Sequence, residues 1–195
     1  IKAKIKIGFD NKRAKEGQWL FTNRKMSSQQ QPHVLDGFMG FAQAIGVPVE
    51  APNWQMPIGD ENELWASELL SVQTEKPIAI ISPAASKAER NWHAEGYAKT
   101  ADYLTKLGFQ VVICGGPTTL EKLLATEIIS LSKSHLINLV AKTNLKQLLA
   151  ILKLAHLVIA PDTGPAHMAV TVGTPVIGLY AHSNPCRTGP YLYQD

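Results

Sequence analysis

Asp162-Thr163-Gly164-Pro165-Ala166-His167 sets an acid, a hydroxyl, a glycine and an imidazole just beyond Pro161, where the apolar run at 157–160 breaks. Pro165 pre-sets a first helical turn, with Thr163 or Gly164 as its N-cap. The first N–H groups of a helix have no intrahelical partner and carry partial positive charge. Those of Gly164, Ala166 and His167 would therefore seat an anion such as a diphosphate. Gly164 lets a ligand come close to the backbone. Asp162 would repel phosphate, so its chemistry is to orient N–H groups or to hydrogen-bond ligand hydroxyls. Two plainer readings stand beside this one: an Asp-Thr-Gly turn in which the acid only caps, and a packed histidine bonded to a neighbouring carbonyl.

Such a turn needs a buried strand behind it. From about residue 77 onward, short apolar runs alternate with helical periodicity. "PIAIIS", "FQVVICG", "HLINLVA", "HLVIAP" and "PVIGLYA" read as five strands. Four helices lie between them, one closing at Gly108 and one with Asn144 as its N-cap. The strands lack in–out alternation, as expected when both faces are covered, so the fold class is α/β with a doubly wound, parallel, Rossmann-like sheet. The expected strand order is 3-2-1-4-5. Chemistry-bearing residues fall after the strands, in "SPAASKAERNW", "GGPTT", "AKTN", "PDTGPAH" and "HSNP", while the opposite ends are short turns. In a sheet of this kind ligands bind at the carboxyl ends. The first and fourth strands are then adjacent, and Ser86 and Arg90 should face Asp162–His167 across a crevice. Arg90 could add a bidentate contact to a phosphate. Trp92 could cover a ligand or anchor the start of a helix. Cys114 reads as a small buried residue at a strand end.

The first part differs. A strand is expected over about 3–9, then a polar stretch, then a helix from Pro32 to Gly46 with Leu35, Phe38, Met39, Ala42 and Ile45 at helical spacing. Three prolines in "VPVEAPNWQMPIGDEN" mark a linker, followed by a short helix over about 61–72. Residues 1–25 hold eight Lys and Arg against two acids. With +3 for the whole chain and +6 here, the remainder is −3. The basic segment suits anionic lipid or phosphate, or simply a solvated edge strand that resists aggregation. It has no recognised nucleic-acid module around it, and nucleic acid is not an expected partner. The apolar runs are far shorter than the roughly 18 residues that span a membrane. The two cysteines have no metal spacing and suit a reducing compartment better than a disulfide scaffold. The sequence has no GxGxxG, Walker, HExxH or GxSxG pattern, which removes ordinary dinucleotide, triphosphatase, zincin and nucleophile-elbow chemistry.

Taken together, "PAASKAERNW", "VVICGGPTTLE", the K-T-x-L at 142–145, the D-T-G-x-x-H-x-A at 162–169 and "NPCRTGPY" resemble the bacterial heptosyltransferases of glycosyltransferase family nine, which build the lipopolysaccharide inner core. The resemblance is close over 77–191. It implies half of a GT-B enzyme: 1–46 a remnant of the N-terminal acceptor domain, 47–73 a linker and short helix, 74–195 the donor nucleotide-sugar domain. It implies an inverting transfer of heptose from ADP-heptose to a lipid-anchored core oligosaccharide, with no cofactor beyond the donor and no metal, in the cytoplasm at the inner face of the inner membrane. By the same resemblance Ser86, Arg90, Thr143, Asp162, Thr163, Gly164 and His167 surround the donor. Ser86 and the backbone before His167 would hold phosphate, Thr143 would lie near adenosine, and Asp162 would meet the donor sugar or hold the loop. Arg90 stands where the family usually has lysine, and Glu121 stands where an acid often meets the ribose. The catalytic base is expected in an N-terminal segment outside this sequence, so the chain is expected to be a donor-binding fragment, inactive alone. From the residues alone, a non-catalytic nucleotide-binding module and a sugar-nucleotide epimerase of similar architecture remain the competing classes.

Overall fold

The computed structural model describes residues 2–30, 32–71 and 76–191. The 73/74 boundary drawn from the sequence lies outside them.

The second part is a five-stranded parallel sheet. Its strands are β3 (Ile78–Ile81), β4 (Gln110–Ile113), β5 (Ile137–Asn138), β6 (Leu157–Pro161) and β7 (Val176–Leu179), in the order β5-β4-β3-β6-β7. This is the 3-2-1-4-5 order read from the sequence. Register runs Ala79 to Leu157 and Ile81 to Ile159, so β3 and β6 are central neighbours ending at one edge. Ala79, Ile80, Ile81, Val112, Ile113 and Val158 are fully or almost fully buried, which is why these strands carry apolar residues at successive positions.

Helices cover both faces. α3 (Ala94–Lys106) and α4 (Thr119–Leu131) bury Tyr97, Ala101, Ala125 and Ile128 on one. α5 (Leu145–Leu154) and α6 (Gly164–Thr171) bury Leu149, Ile151, Leu152, Ala166 and Ala169 on the other. α2 (Asp60–Ser71), which the sequence reading set beside the linker, packs on α5. Its Ala66 and Leu70 enter the same core, and Glu63 pairs with Lys153 at 2.9 Å. Asn144 caps α5 as expected, within a capping box closed by Gln147. Trp92 anchors the start of α3. It stacks on His93, meets Tyr97 edge-on, and would lie 2.5 Å from a Cβ at Gly96.

The first part departs from its pattern twice. The strand expected over 3–9 shrinks to β1 (Ile7–Gly8), paired in parallel with β2 (Arg24–Lys25). Just upstream the Asn23 amide replaces a ladder, accepting from Lys6 N–H and donating to Lys4 O, both at 2.8 Å. α1 (Val34–Ala44) forms where the spacing predicts it, capped by His33 one residue after Pro32. Its deepest face is Gly37 and Gly40, not the apolar stripe, for Phe38 and Ile45 are exposed. The absence of side chains lets the helix lie against Phe9, Arg13 and Met26, and a Cβ at Gly40 would sit 2.2 Å from Met26 Cε.

Candidate active site

β6 ends at Pro161, and the chain turns into α6 within two residues. Thr163 is the N-cap, but its hydroxyl makes no capping bond and is buried without a partner among the described residues. His33, His93, Thr118, Asn144 and Asn184 all cap their helices through side chains. Among the described residues the start of α6 thus has no side-chain cap. Asp162 does not cap it either. Its Oδ1 lies 3.4 Å from His167 Nε2, and its Oδ2 accepts from Thr188 Oγ1 at 3.0 Å. The capping-only reading of the acid is thus not what the chain adopts, and His167 bonds this carboxylate rather than a carbonyl. One expectation needs correcting: His167 N–H points back to Thr163 O at 3.4 Å, as the helix ladder requires. Gly164 and Ala166 precede the first residue able to do so, and Pro165 has no N–H.

Tyr180 follows β7 on this edge, and its hydroxyl is buried with no partner among the described residues. Burial, with the Asp162 charge added, pushes it up to about 12, so it stays a neutral phenol. A Cβ at Gly178 would lie 2.2 Å from the Tyr180 ring.

The β3 loop brings Ser86, which is exposed, and Arg90, which is half-buried on a 3-10 turn (Ala88–Arg90). The loop is closed by Asn91, whose side chain accepts from Ala85 N–H at 2.6 Å, a role no motif had signalled. Among the described residues neither Ser86 nor Arg90 has a side-chain partner, and neither bonds to Asp162–His167. Adjacent parallel strands place the two loops at one sheet edge without joining them. Thr143 is half-buried in the loop between β5 and α5. Glu121 folds back on its own turn. Its Oε1 accepts from Gly116 N–H at 2.6 Å and its Oε2 from Thr118 N–H at 3.2 Å.

What the fold does gather round Asp162 and His167 comes from elsewhere. A cavity of about 390 Å³ has them at one end and His33, Phe38, Trp54 and Tyr191 along its walls. The Trp54 indole N–H is buried without a partner among the described residues. Phe38, one of the two exposed residues of the α1 stripe, faces this space. The site is thus a polar helix start with an acid–imidazole–hydroxyl cluster, bordered by an apolar wall from the first part. It can hold an anion at the helix start and orient hydroxyl groups with Asp162.

The sequence model of glycosyltransferase family 9 (heptosyltransferase) matches residues 1–195. The chain is 47% identical over its full length to the lipopolysaccharide core heptosyltransferase OpsX of Haemophilus influenzae, covering 56% of that protein. It is similar at 28% identity over 163 residues to lipopolysaccharide heptosyltransferase 2 of Salmonella typhimurium, covering 46% of it. It therefore spans about half the length of the curated relatives it matches. Among solved structures, a glycosyltransferase of family 9 from Veillonella parvula superposes with a TM-score of 0.79 at 25% identity, over 89% of this chain and 51% of that one. The E. coli heptosyltransferase WaaC with ADP, at 23% identity, shares the fold with a TM-score of 0.68 over 96% of this chain and 57% of its own. With the match running end to end, the chain belongs to glycosyltransferase family 9.

Proposed function

We propose that this chain is the donor-binding half of an inverting glycosyltransferase that moves heptose from ADP-heptose to the lipopolysaccharide inner core. On this reading 1–46 belong to the acceptor domain, 47–73 link and 74–195 bind the donor. The observation that carries it is the α6 start, left uncapped by Thr163 at the carboxyl end of central strand β6. The full-length similarity to a named core heptosyltransferase supports the chemistry. The non-catalytic module and the epimerase are not favoured, since the whole chain matches a heptosyltransferase family.

The roles follow from charge and position. The Gly164 and Ala166 N–H groups and the α6 dipole take the departing diphosphate, and Ser86 and Arg90 add contacts from the β3 loop. Charge stabilisation of that leaving group is this half's contribution to the barrier. Thr143 lies toward the adenosine, and Asp162 and His167 toward the sugar. Inversion also needs a base beside the acceptor hydroxyl, which this reading assigns to the acceptor domain. A titration with ADP-heptose, ADP, UDP and GDP tests the donor. Tightest binding is expected for the adenine ligands, and equal or tighter binding of UDP would sink the assignment.

The same proposal puts the enzyme at the inner face of the bacterial inner membrane, where its lipid-anchored acceptor lies. Among the described residues no helix is long and apolar enough to cross a membrane. Trp19, Leu20 and Phe21 are exposed beside a strongly basic segment, as peripheral contact with anionic lipid requires. Co-sedimentation with anionic vesicles but not neutral ones is expected, and no difference between them would remove this part.

A further inference from the structure

Thr188 lies far along the chain from the Asp162 turn, beyond β7, in the short helix α7 (Pro185–Thr188). Its hydroxyl carries one hydrogen and has two acceptors in reach, Asp162 Oδ2 at 3.0 Å and Asn184 O at 3.3 Å. The carboxylate is both nearer and charged, so the proton goes there. A carboxylate held through one oxygen can still swing about its side-chain torsions. With His167 on Oδ1 and Thr188 on Oδ2, from two separate elements, its plane is defined.

Thr188 is itself held firmly. Its N–H bonds Asn184 O at 3.0 Å, and Gly189 N–H bonds Pro185 O at 2.7 Å. A Cβ at Gly189 would lie 2.5 Å from Pro185 O, so this turn admits no side chain. Gly189 O then receives His33 Nε2 at 2.9 Å. The tautomer is settled locally: His33 Nδ1 accepts from Leu35 N–H at 3.1 Å, so Nε2 carries the hydrogen and donates. Tyr191 OH donates to Asp36, whose other oxygen accepts from His33 N–H. Residues 184–191 are thus a strap from the end of β7 to the start of α1, with Thr188 at the point nearest Asp162.

We infer that Thr188 is a positioning residue for sugar transfer: it holds the Asp162 carboxylate in the orientation that meets the donor sugar, and His33 and Asp36 hold Thr188 in place. This rests on the proposed contact between Asp162 and the donor sugar. The test compares Thr188→Val, which keeps the shape and removes the hydrogen, with Thr188→Ser, which restores it, and with Asp162→Asn. Affinities for ADP-heptose and for ADP, which lacks the sugar, are measured on the whole protein that carries this chain. Thr188→Val is expected to weaken ADP-heptose by about three- to tenfold while leaving ADP within about twofold. Thr188→Ser is expected to recover most of the loss. If Thr188→Val binds ADP-heptose as the unaltered protein does while Asp162→Asn is weakened, the inference is overturned. Equal loss for both ligands, or no recovery in Thr188→Ser, overturns it too, because Thr188 would then only support the fold. Full ADP-heptose affinity in Asp162→Asn would instead remove the sugar contact, and the role of Thr188 with it.

Discussion

At Asp162 each carboxylate oxygen answers to a different part of the chain, and this decides how substitutions there should combine. Asp162→Ala removes an acceptor for both His167 and Thr188. Loss of the proposed charge-assisted bond to the donor is worth about 1.5–3 kcal/mol, a roughly ten- to hundredfold weaker complex. Because Asp162 and His167 form one pair, the double variant with His167→Ala should lose less than the sum of the singles, which a double-mutant cycle in donor affinity measures. If Asp162→Ala lowers the melting temperature and leaves affinity unchanged, the acid only supports the turn. The two cysteines make a second residue-scale contrast. Burial pushes the Cys114 thiol up to about 12, whereas Cys186 is exposed. An aromatic disulfide reagent should therefore label Cys186 in the native protein at neutral pH and reach Cys114 only after unfolding. Labelling of both at similar rates would contradict the packing around the end of β4.

Among the elements, the α4–β5 connection depends on one acid from α3. Asp102 accepts from Ser132 Oγ at 2.7 Å and from the Lys133 and Ser134 N–H groups, both at 3.0 Å. Burial pushes this carboxyl up, but the bonds from Ser132, Ser134 and Lys133 outweigh it and hold it below the usual carboxylate range. A carboxyl lowered on folding adds stability above its unfolded pKa and loses it as pH falls through the folded value. Asp102→Asn should therefore lower stability at neutral pH, by less than a fully buried charged bond would be worth, because the site is partly open to water. Its melting temperature should converge on that of the unaltered protein as the pH is lowered below about 4. A gap that stays constant between pH 7 and pH 3 would show that the charge is not what holds the turn.

For the molecule as a whole, the sheet divides the core into two faces. Ile151 belongs to the face under α2, α5 and α6, and Ile128 to the face under α3 and α4, and both are fully buried. Each trimmed to Val should cost about 0.5–1.5 kcal/mol. With the sheet between them and no shared hydrogen-bond network, the costs should add to within about 0.5 kcal/mol in denaturant unfolding. A larger coupling would mean that the two layers repack as one body.

Much of this was legible in the sequence because it rests on local rules. Runs of apolar residues without alternation announce strands buried on both faces, and β3, β4 and β6 lie where those runs stand, whereas β7 forms at its run but as an edge strand with Ile177 exposed. Asn144 before a helical pattern announces a cap, and Asp-Thr-Gly-Pro after a strand announces the turn into α6. Ser86, Arg90, Thr143 and Asp162 could be assigned to strand-end loops on the same ground, since a strand's direction places its loop. What occupies each polar group was not legible. Thr188 lies within the "NPCRTGPY" stretch, but nothing in that stretch gives it a role, and its bond to Asp162 exists only because β7 returns the chain beside β6. Glu121 fits both a ribose contact and a capping box, and only the folded turn shows its oxygens on Gly116 and Thr118. The α1 stripe shows the same limit. Periodicity marks Phe38 as apolar, but which face a helix buries depends on what lies opposite, and there Gly37 and Gly40 make the closest approach. Propensity and pattern act over a few residues and so are written in order along the chain, whereas a hydrogen bond across 26 residues is set by how the layers meet.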